Sequence, residues 1–169
     1  EICKEPHMLP VYEKVIHRMR CWKAMQEQAL LQTAQPLLAW YPLHARDLPW
    51  RHTQEPYRIW LSEIMLQQTR VEAVKNYYAR FLETFPDIAA LAAAEQDQVN
   101  KCWEGLGYYS RAANLRKAAQ TIQEQYGGVF PRTWEEVRGL AGVGDYTAGA
   151  VCSICYGLPT PAVDGNVLR

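Results

Sequence analysis

The sequence lacks the features that define several other classes of protein. No apolar run approaches the roughly 18 residues of a membrane-spanning helix, and the charged start does not resemble a secretory signal peptide. The five cysteines are odd in number and follow no framework spacing, which favours reduced thiols inside a cell. We therefore expect an intracellular, cytoplasmic protein with no membrane partner.

An excess of charge of one sign is also missing, because 18 basic residues balance 18 acidic ones. Nucleic-acid-binding domains usually carry a basic excess. The balance therefore weighs against DNA binding, unless the basic residues share one face or lie outside this chain. Hydrophobic residues make up 49% of the 169 residues and charged residues 21%, as in an ordinary globular domain with a core of its own.

Strand-like alternation is absent too, and apolar residues recur at three- and four-residue steps, which predicts an all-α fold. Residues 1–24 share no clear period, so we expect an N-terminal extension of doubtful structure there and the folded region over 25–169. Asp87 and Thr133 are predicted helix caps. Helices are predicted over 25–41, 57–68, 71–82, a short stretch after residue 87, 96–103, 110–126, 134–140 and 146–156, with a loop over 46–51.

A short glycine motif, Gly142-Val143-Gly144, separates the last two predicted helices. Glycines allow a tight turn and the close approach of another molecule. The unpaired amides at the start of the second helix, beside the positive end of its dipole, favour a phosphate. The motif predicts a helix–hairpin–helix near 134–156, although a simple turn between helices that needs glycine is the alternative.

Two carboxyl groups are candidates for chemistry. Glu63 lies within the apolar run 59–66, where burial would raise its pKa and keep it protonated as an acid. A surface position or an internal ion pair is the alternative for Glu63. Asp164, in Val163-Asp164-Gly165-Asn166, is by itself typical of a turn or a helix cap.

Four stretches resemble the MutY-type adenine DNA glycosylases of the helix–hairpin–helix glycosylase superfamily, and the resemblance runs from about Met25 to Arg169. It implies a six-helix-barrel fold, incomplete at the C-terminus, in a monomer that acts on the chromosome. The implied partner is double-stranded DNA with an adenine mismatch, and the implied reaction removes adenine opposite 8-oxoguanine or guanine by base flipping and acid catalysis. The stretches are residues 61–69, 105–111, 142–150 and 163–167.

The resemblance also implies roles for single residues. Glu63 would protonate adenine, Asp164 would stabilise the sugar cation, and Tyr146 would orient groups at the sugar; packing at a helix start is the alternative for Tyr146. Strand-cutting relatives have a Schiff-base lysine at this position, so a monofunctional enzyme is expected. The implied DNA contacts are Gln68, Thr69, Leu106, Tyr108, Gly142, Val143 and Gly144, with Gln68 and Tyr108 as wedges, and the implied adenine pocket is Arg46, Trp50, Arg51, Leu66 and Val71.

Two alternatives remain open: another glycosylase of the superfamily, either thymine-mismatch or endonuclease III-like, and a DNA-binding module without catalysis. Cys152 and Cys155 have the spacing of half a zinc site, but we interpret them as buried core residues and expect no metal site in this stretch. For the full-length family member, the resemblance implies a four-iron four-sulfur cluster and a C-terminal 8-oxoguanine-recognition domain. Both would lie beyond Arg169, which leaves the activity of this stretch alone open.

Overall fold

The computed structural model describes residue 28 and residues 32–165, and all the regular structure within that part is helical. The predicted all-α class is therefore confirmed. The chain forms two compact units that divide between Asp47 and Leu48. The helices are α1 (32–44), α2 (Pro56–Leu66), α3 (Val71–Thr84), α4 (Ile88–Ala93), α5 (Gln96–Trp103), α6 (Ser110–Gln125), α7 (Trp134–Arg138) and α8 (Asp145–Tyr156).

The first unit contains α1, which continues through Pro36 and ends at His44. The imidazole of His44 stacks on the indole of Trp40 with ring centroids 4.6 Å apart. The large side chains of Leu37, Leu38 and Leu43 are exposed. The predicted extension over 1–24 lies outside the described residues. So do residues 25–27 and 29–31, at the start of the predicted helix over 25–41.

The second unit is built around α2, whose fully buried side chains include Trp60, Leu61 and Met65. A helix that is apolar on every side needs neighbours on every side, and α2 packs against α3, α6 and α8. The buried partners on these helices include Val74, Tyr78 and Phe81 of α3, Leu115 and Ile122 of α6, and Ala148, Val151 and Cys152 of α8.

Local polar contacts set several helix ends. The Asp87 carboxylate accepts a hydrogen bond from the Ala90 amide at 2.8 Å, and Thr133 forms the predicted capping box with Glu136. Both predicted caps are therefore confirmed. A carboxylate that was not predicted, Glu55, accepts hydrogen bonds from two amides in the first turn of α2.

Several sequence-based boundaries need correction. Helix α1 continues three residues past its predicted end at Tyr41, and α7 ends at Arg138, two residues before its predicted end at Leu140. Within the predicted loop over 46–51, Pro49–Arg51 forms a 3-10 turn. Pro49 is the first residue of this turn, and its ring fixes the φ angle there. Helix α2 ends at Leu66, two residues before its predicted end, and α3 continues two residues past Leu82. No helix in the described part of the chain is long and apolar enough to cross a membrane.

Candidate active site

The predicted glycine hairpin is present between α7 and α8. Gly142 has a φ of +75°, and a Cβ at this position would lie 2.8 Å from the Cβ of Asn114. The Arg138 guanidinium binds the Asp145 carboxylate and donates a hydrogen bond to the Val143 carbonyl at 3.1 Å. The turn is thus fixed from both sides, by the close packing of α6 and by one arginine.

The hairpin offers main-chain rather than side-chain groups to a ligand. Val143 is only 4% exposed, so its side chain belongs to the core. Gly144 is the N-cap of α8, and no side chain of the described residues caps that end of the helix. The first amides of α8 are therefore available to an anion beside the positive end of the helix dipole.

Glu63 and Tyr146 meet where α2 packs against α8. Glu63 is half-buried, and its burial raises the pKa of its carboxyl group, while a hydrogen bond from the Tyr146 hydroxyl acts in the opposite direction. Tyr146 is 39% exposed, so the pair lies at the protein surface rather than in the sealed core. A carboxyl group that favours its protonated form beside solvent can act as an acid.

Asp164 reaches the same place from the end of the described chain. Burial raises the pKa of the Tyr146 hydroxyl, and the negative charges of Glu63 and Asp164 raise it further. Both carboxyl groups thus act on one hydroxyl group. The structure therefore brings the three predicted catalytic residues together.

Gly149 makes this return of the chain possible. After α8, Gly157 turns the chain in the left-handed region at a φ of +66°. The Thr160 hydroxyl then donates a hydrogen bond to the Gly149 carbonyl at 3.1 Å, and a Cβ on Gly149 would lie 1.9 Å from the Pro161 carbonyl oxygen. The missing side chain lets the segment run back against α8 toward Tyr146.

The predicted base-reading residues lie on two loops. Gln68 and Thr69 follow α2, whereas Leu106 and Tyr108 lie between α5 and α6. Gln68 and Tyr108 have φ values of +56° and +49°, and they are the only non-glycine residues with positive φ in the described part of the chain. Such strain tends to occur at functional sites. Tyr108 is 63% exposed, as a wedge must be, whereas Leu106 is buried.

Sequence reasoning missed Arg111, which connects these two loops. Its side chain is 8% exposed, and its guanidinium donates hydrogen bonds to the carbonyls of Ile64, Met65, Gln67, Leu106 and Gly107 and to the Thr69 hydroxyl. A pattern in the sequence could have revealed it. Arg111 begins the buried stripe of α6 that continues with Leu115, Ala118 and Ile122, where a cation needs buried partners.

Comparison with known proteins identifies the family. Residues 61–169 match the model of the HhH-GPD superfamily base excision DNA repair proteins. This chain belongs to that superfamily. The human and Buchnera aphidicola (subsp. Baizongia pistaciae) proteins named adenine DNA glycosylase are 47% and 42% identical to it, over 79% and 80% of this chain. The chain spans only 26% and 39% of those two relatives.

Solved structures of the superfamily share the fold. A thermostable thymine-DNA glycosylase superposes with a TM-score of 0.78 at 30% identity, covering 83% of this chain and 65% of that chain. A trapped endonuclease III–DNA covalent intermediate superposes with a TM-score of 0.70 at 23% identity, covering 82% of this chain and 64% of that chain. Because the endonuclease III structure is only 23% identical to this chain, the similarity between them shows a shared fold and nothing further.

The residues predicted to line an adenine pocket come from several parts of the chain and differ in exposure. Leu66 and Val71 are half-buried on either side of the Gln68 loop, while Arg51 is exposed. Trp50 is buried and packs edge-to-face on Tyr78, with ring centroids 5.4 Å apart. Arg46 belongs to the first unit. The pocket role of all five residues stays a prediction.

The described residues of this HhH-GPD protein do not fit an iron–sulfur cluster. Such a cluster needs four thiolates, whereas the described cysteines are Cys102 on α5 and Cys152 and Cys155 on α8. Cys152 is buried in the core, as predicted, and Cys155 is half-buried, where burial raises its pKa to about 12. No group of three or more histidine, cysteine or acidic side chains suited to a metal ion occurs over 32–165.

Proposed function

We propose that this protein is a monofunctional DNA glycosylase that hydrolyses the N-glycosidic bond of adenine opposite 8-oxoguanine or guanine. One observation carries the proposal: burial raises the pKa of Glu63, and both Glu63 and Asp164 lie close enough to Tyr146 for their negative charges to raise the pKa of its hydroxyl. Relatives named adenine DNA glycosylase, 39–47% identical to this chain, support the choice of base. We further propose that it works as a monomer on chromosomal DNA inside the cell.

Binding comes first in this proposal. The free amides of Gly144 and the first turn of α8 hold a backbone phosphate. Gln68 and Tyr108 enter the base stack, and Thr69 and Leu106 lie beside the base opposite adenine. Extruding a base costs a few kcal/mol of unstacking and unpairing. The wedges offset this cost by filling the vacated space.

Two carboxyl groups with different charges then divide the chemistry, as in other glycoside cleavage. Protonated Glu63 gives its proton to a ring nitrogen of the flipped adenine, and the bond between the base and the sugar breaks with its electron pair on the base. Ionised Asp164 stabilises the sugar cation that remains. Water adds to that cation and loses a proton, which leaves an abasic site.

Tyr146 has a positioning role in this scheme. Its hydroxyl donates a hydrogen bond to Glu63 and lies in the field of Asp164. A phenol cannot form an imine with the abasic sugar, so the strand stays intact after base release. We propose that any four-iron four-sulfur cluster of the full-length protein takes its ligands from outside the described residues.

The test is single-turnover base release by the full-length protein carrying Glu63→Gln. Loss of the general acid is expected to slow adenine release by about a thousandfold, while affinity for the mismatched duplex stays within about twofold. Glu83→Gln, on the exposed face of α3, is the matched control and should keep wild-type rates.

The same assay separates the alternatives. Duplexes with a thymine–guanine mismatch report a thymine-specific enzyme, and strand breaks report a lyase. Wild-type protein that binds a mismatched duplex without releasing any base would make the chain a non-catalytic DNA-binding module. Release of thymine in place of adenine would overturn the proposed substrate, but it would leave the proposed role of Glu63 as general acid unchanged.

A further inference from the structure

We propose that Arg111 is a positioning residue that sets Gln68 and Tyr108 in their wedge conformations through a single guanidinium. This inference rests on the proposed function, because it assigns no chemistry to Arg111 itself. Its basis is the coincidence of two observations: one buried cation connects two loops, and those loops carry the only positive-φ side-chain residues of the described chain.

On one side, Arg111 binds the end of α2. One terminal nitrogen donates to the carbonyls of Ile64 and Met65, each at 3.1 Å, and to the carbonyl of Gln67. The other donates to the Thr69 hydroxyl at 3.2 Å. Two of these partners, Gln67 and Thr69, are the chain neighbours of Gln68, so its left-handed backbone is held from both sides.

On the other side, Arg111 binds the loop between α5 and α6. The second nitrogen also donates to the carbonyls of Leu106 and Gly107, at 3.1 and 3.2 Å. The guanidinium carbon lies 5.6 Å from the centroid of the Tyr108 ring. The backbone before Tyr108 and the ring itself therefore face the same cation.

A guanidinium suits this role better than an ammonium. The planar fork of arginine presents donors in several fixed directions, whereas lysine carries three donors on one rotating nitrogen. Lysine at position 111 would keep the charge in the core, but it could not hold the two loops in their present geometry at once. Arg111→Lys therefore tests positioning rather than charge.

The helix offers a matched control. Arg116, also on α6, donates from its Nε to the Ala94 carbonyl at the end of α4, and this hydrogen bond involves neither loop. Arg116→Lys thus weakens a helix-terminal hydrogen bond of the same kind without touching the wedges. Both variants are made in the full-length protein and assayed below their melting temperatures.

The measured quantity is the preference for a mismatched duplex. It is the Kd for a paired duplex divided by the Kd for a mismatched duplex, in which an uncleavable adenosine analogue lies opposite 8-oxoguanine. Arg111→Lys should lower this ratio by about tenfold, the scale of a single positioning contact, and Arg116→Lys should change it by less than about twofold. In a Gln68→Ala/Tyr108→Ala background, Arg111→Lys should have almost no effect on the ratio, because no wedge remains to be positioned.

A merely structural Arg111 would lower the ratio equally in both backgrounds, and that result would overturn the proposal. So would a ratio that Arg111→Lys leaves unchanged. A wild-type protein without preference for the mismatch would overturn the proposed function instead, since the comparison between backgrounds would then have nothing to act on.

A second variant tests the shared guanidinium without any DNA. Thr69→Val removes one acceptor on the α2 side and preserves the side-chain shape. Amide hydrogen exchange should become faster at residues 67–70 and also at 105–109, because both loops share one guanidinium. Faster exchange confined to 67–70 would mean that the two loops are independent, and the proposal would fail.

Discussion

The helical hairpin and the two loops that carry the proposed wedges, Gln68 and Tyr108, are held by different kinds of contact. The hairpin depends mainly on neighbours in the chain: Gly142 turns it, and Arg138 binds Val143 and Asp145 within seven residues. The loop after α2 depends on Arg111, which lies more than forty residues beyond Gln67. The same guanidinium binds the loop after α5 only five and four residues before it in the chain, at Leu106 and Gly107. A short motif therefore describes the hairpin nearly completely, whereas the wedges are a property of the folded core.

The segment that follows Gly157 and runs back against α8 should be the part of the site most sensitive to mutation. In Gly149→Ala, the new Cβ would meet the Pro161 carbonyl, so the segment must shift and displace Asp164 from Tyr146. A displacement of about 1 Å at reacting groups can cost about a hundredfold in rate. Single-turnover adenine release measures the loss. Gly139→Ala, where φ is −71° and the new Cβ has only ordinary contacts, is the control and should stay within about twofold.

Breaking the hairpin should affect binding more than chemistry. Gly142→Ala forces a side chain into a positive φ and against Asn114, so the amides of α8 lose their alignment with a phosphate. We expect duplex affinity to fall by about tenfold for mismatched and paired DNA alike, as for the loss of a phosphate contact. A change in mismatch preference instead would contradict the division between hairpin and loops.

The pH profile examines the carboxyl pair directly. Burial raises the pKa of Glu63 above 4.5, so its protonated form is lost only as the pH rises through that higher value. Adenine release should therefore fall by up to about tenfold per pH unit on the alkaline limb. The same shift stabilises the fold below pH 4.5, and this contribution disappears as the pH rises through the raised pKa. Melting curves of Glu63→Gln should lack this dependence; an unchanged profile in the variant would assign it to another group.

The smallest effect should come from a local cap of the hairpin. Thr133→Ala removes the hydroxyl that contacts the Glu136 amide and carboxylate. A lost cap costs about 1 kcal/mol of folding stability, while the mismatch preference should change by less than about twofold because the wedges do not depend on α7. Urea denaturation measures the first quantity and duplex titration the second.

The sequence predicted those parts of the structure that depend on neighbouring residues. The caps at Asp87 and Thr133 and the glycine turn at Gly142 follow from local patterns, and the structure has each of them. The burial of Glu63 also follows locally, because the residues beside it in the run 59–66 are mostly buried apolar side chains of α2.

What the sequence could not predict depends on distant contacts. Nothing in the Ala148-Gly149-Ala150 stretch indicates that Pro161 lies against Gly149, because that contact exists only after the chain has turned at Gly157. In the same way, the partners of Arg111 come from α2 and from two loops, so its role appears only once α6 has packed beside α2.

The start of α8 serves two purposes at once. Its first amides have no side-chain cap, and Tyr146, the second residue of the same helix, lies where the charges of both carboxyl groups raise the pKa of its hydroxyl. A rigid helix cannot move one without the other. A strand that is seated one nucleotide out of register on those amides would thus present the wrong sugar to the proposed catalytic pair, Glu63 and Asp164, so phosphate binding would also select the nucleotide whose base is released.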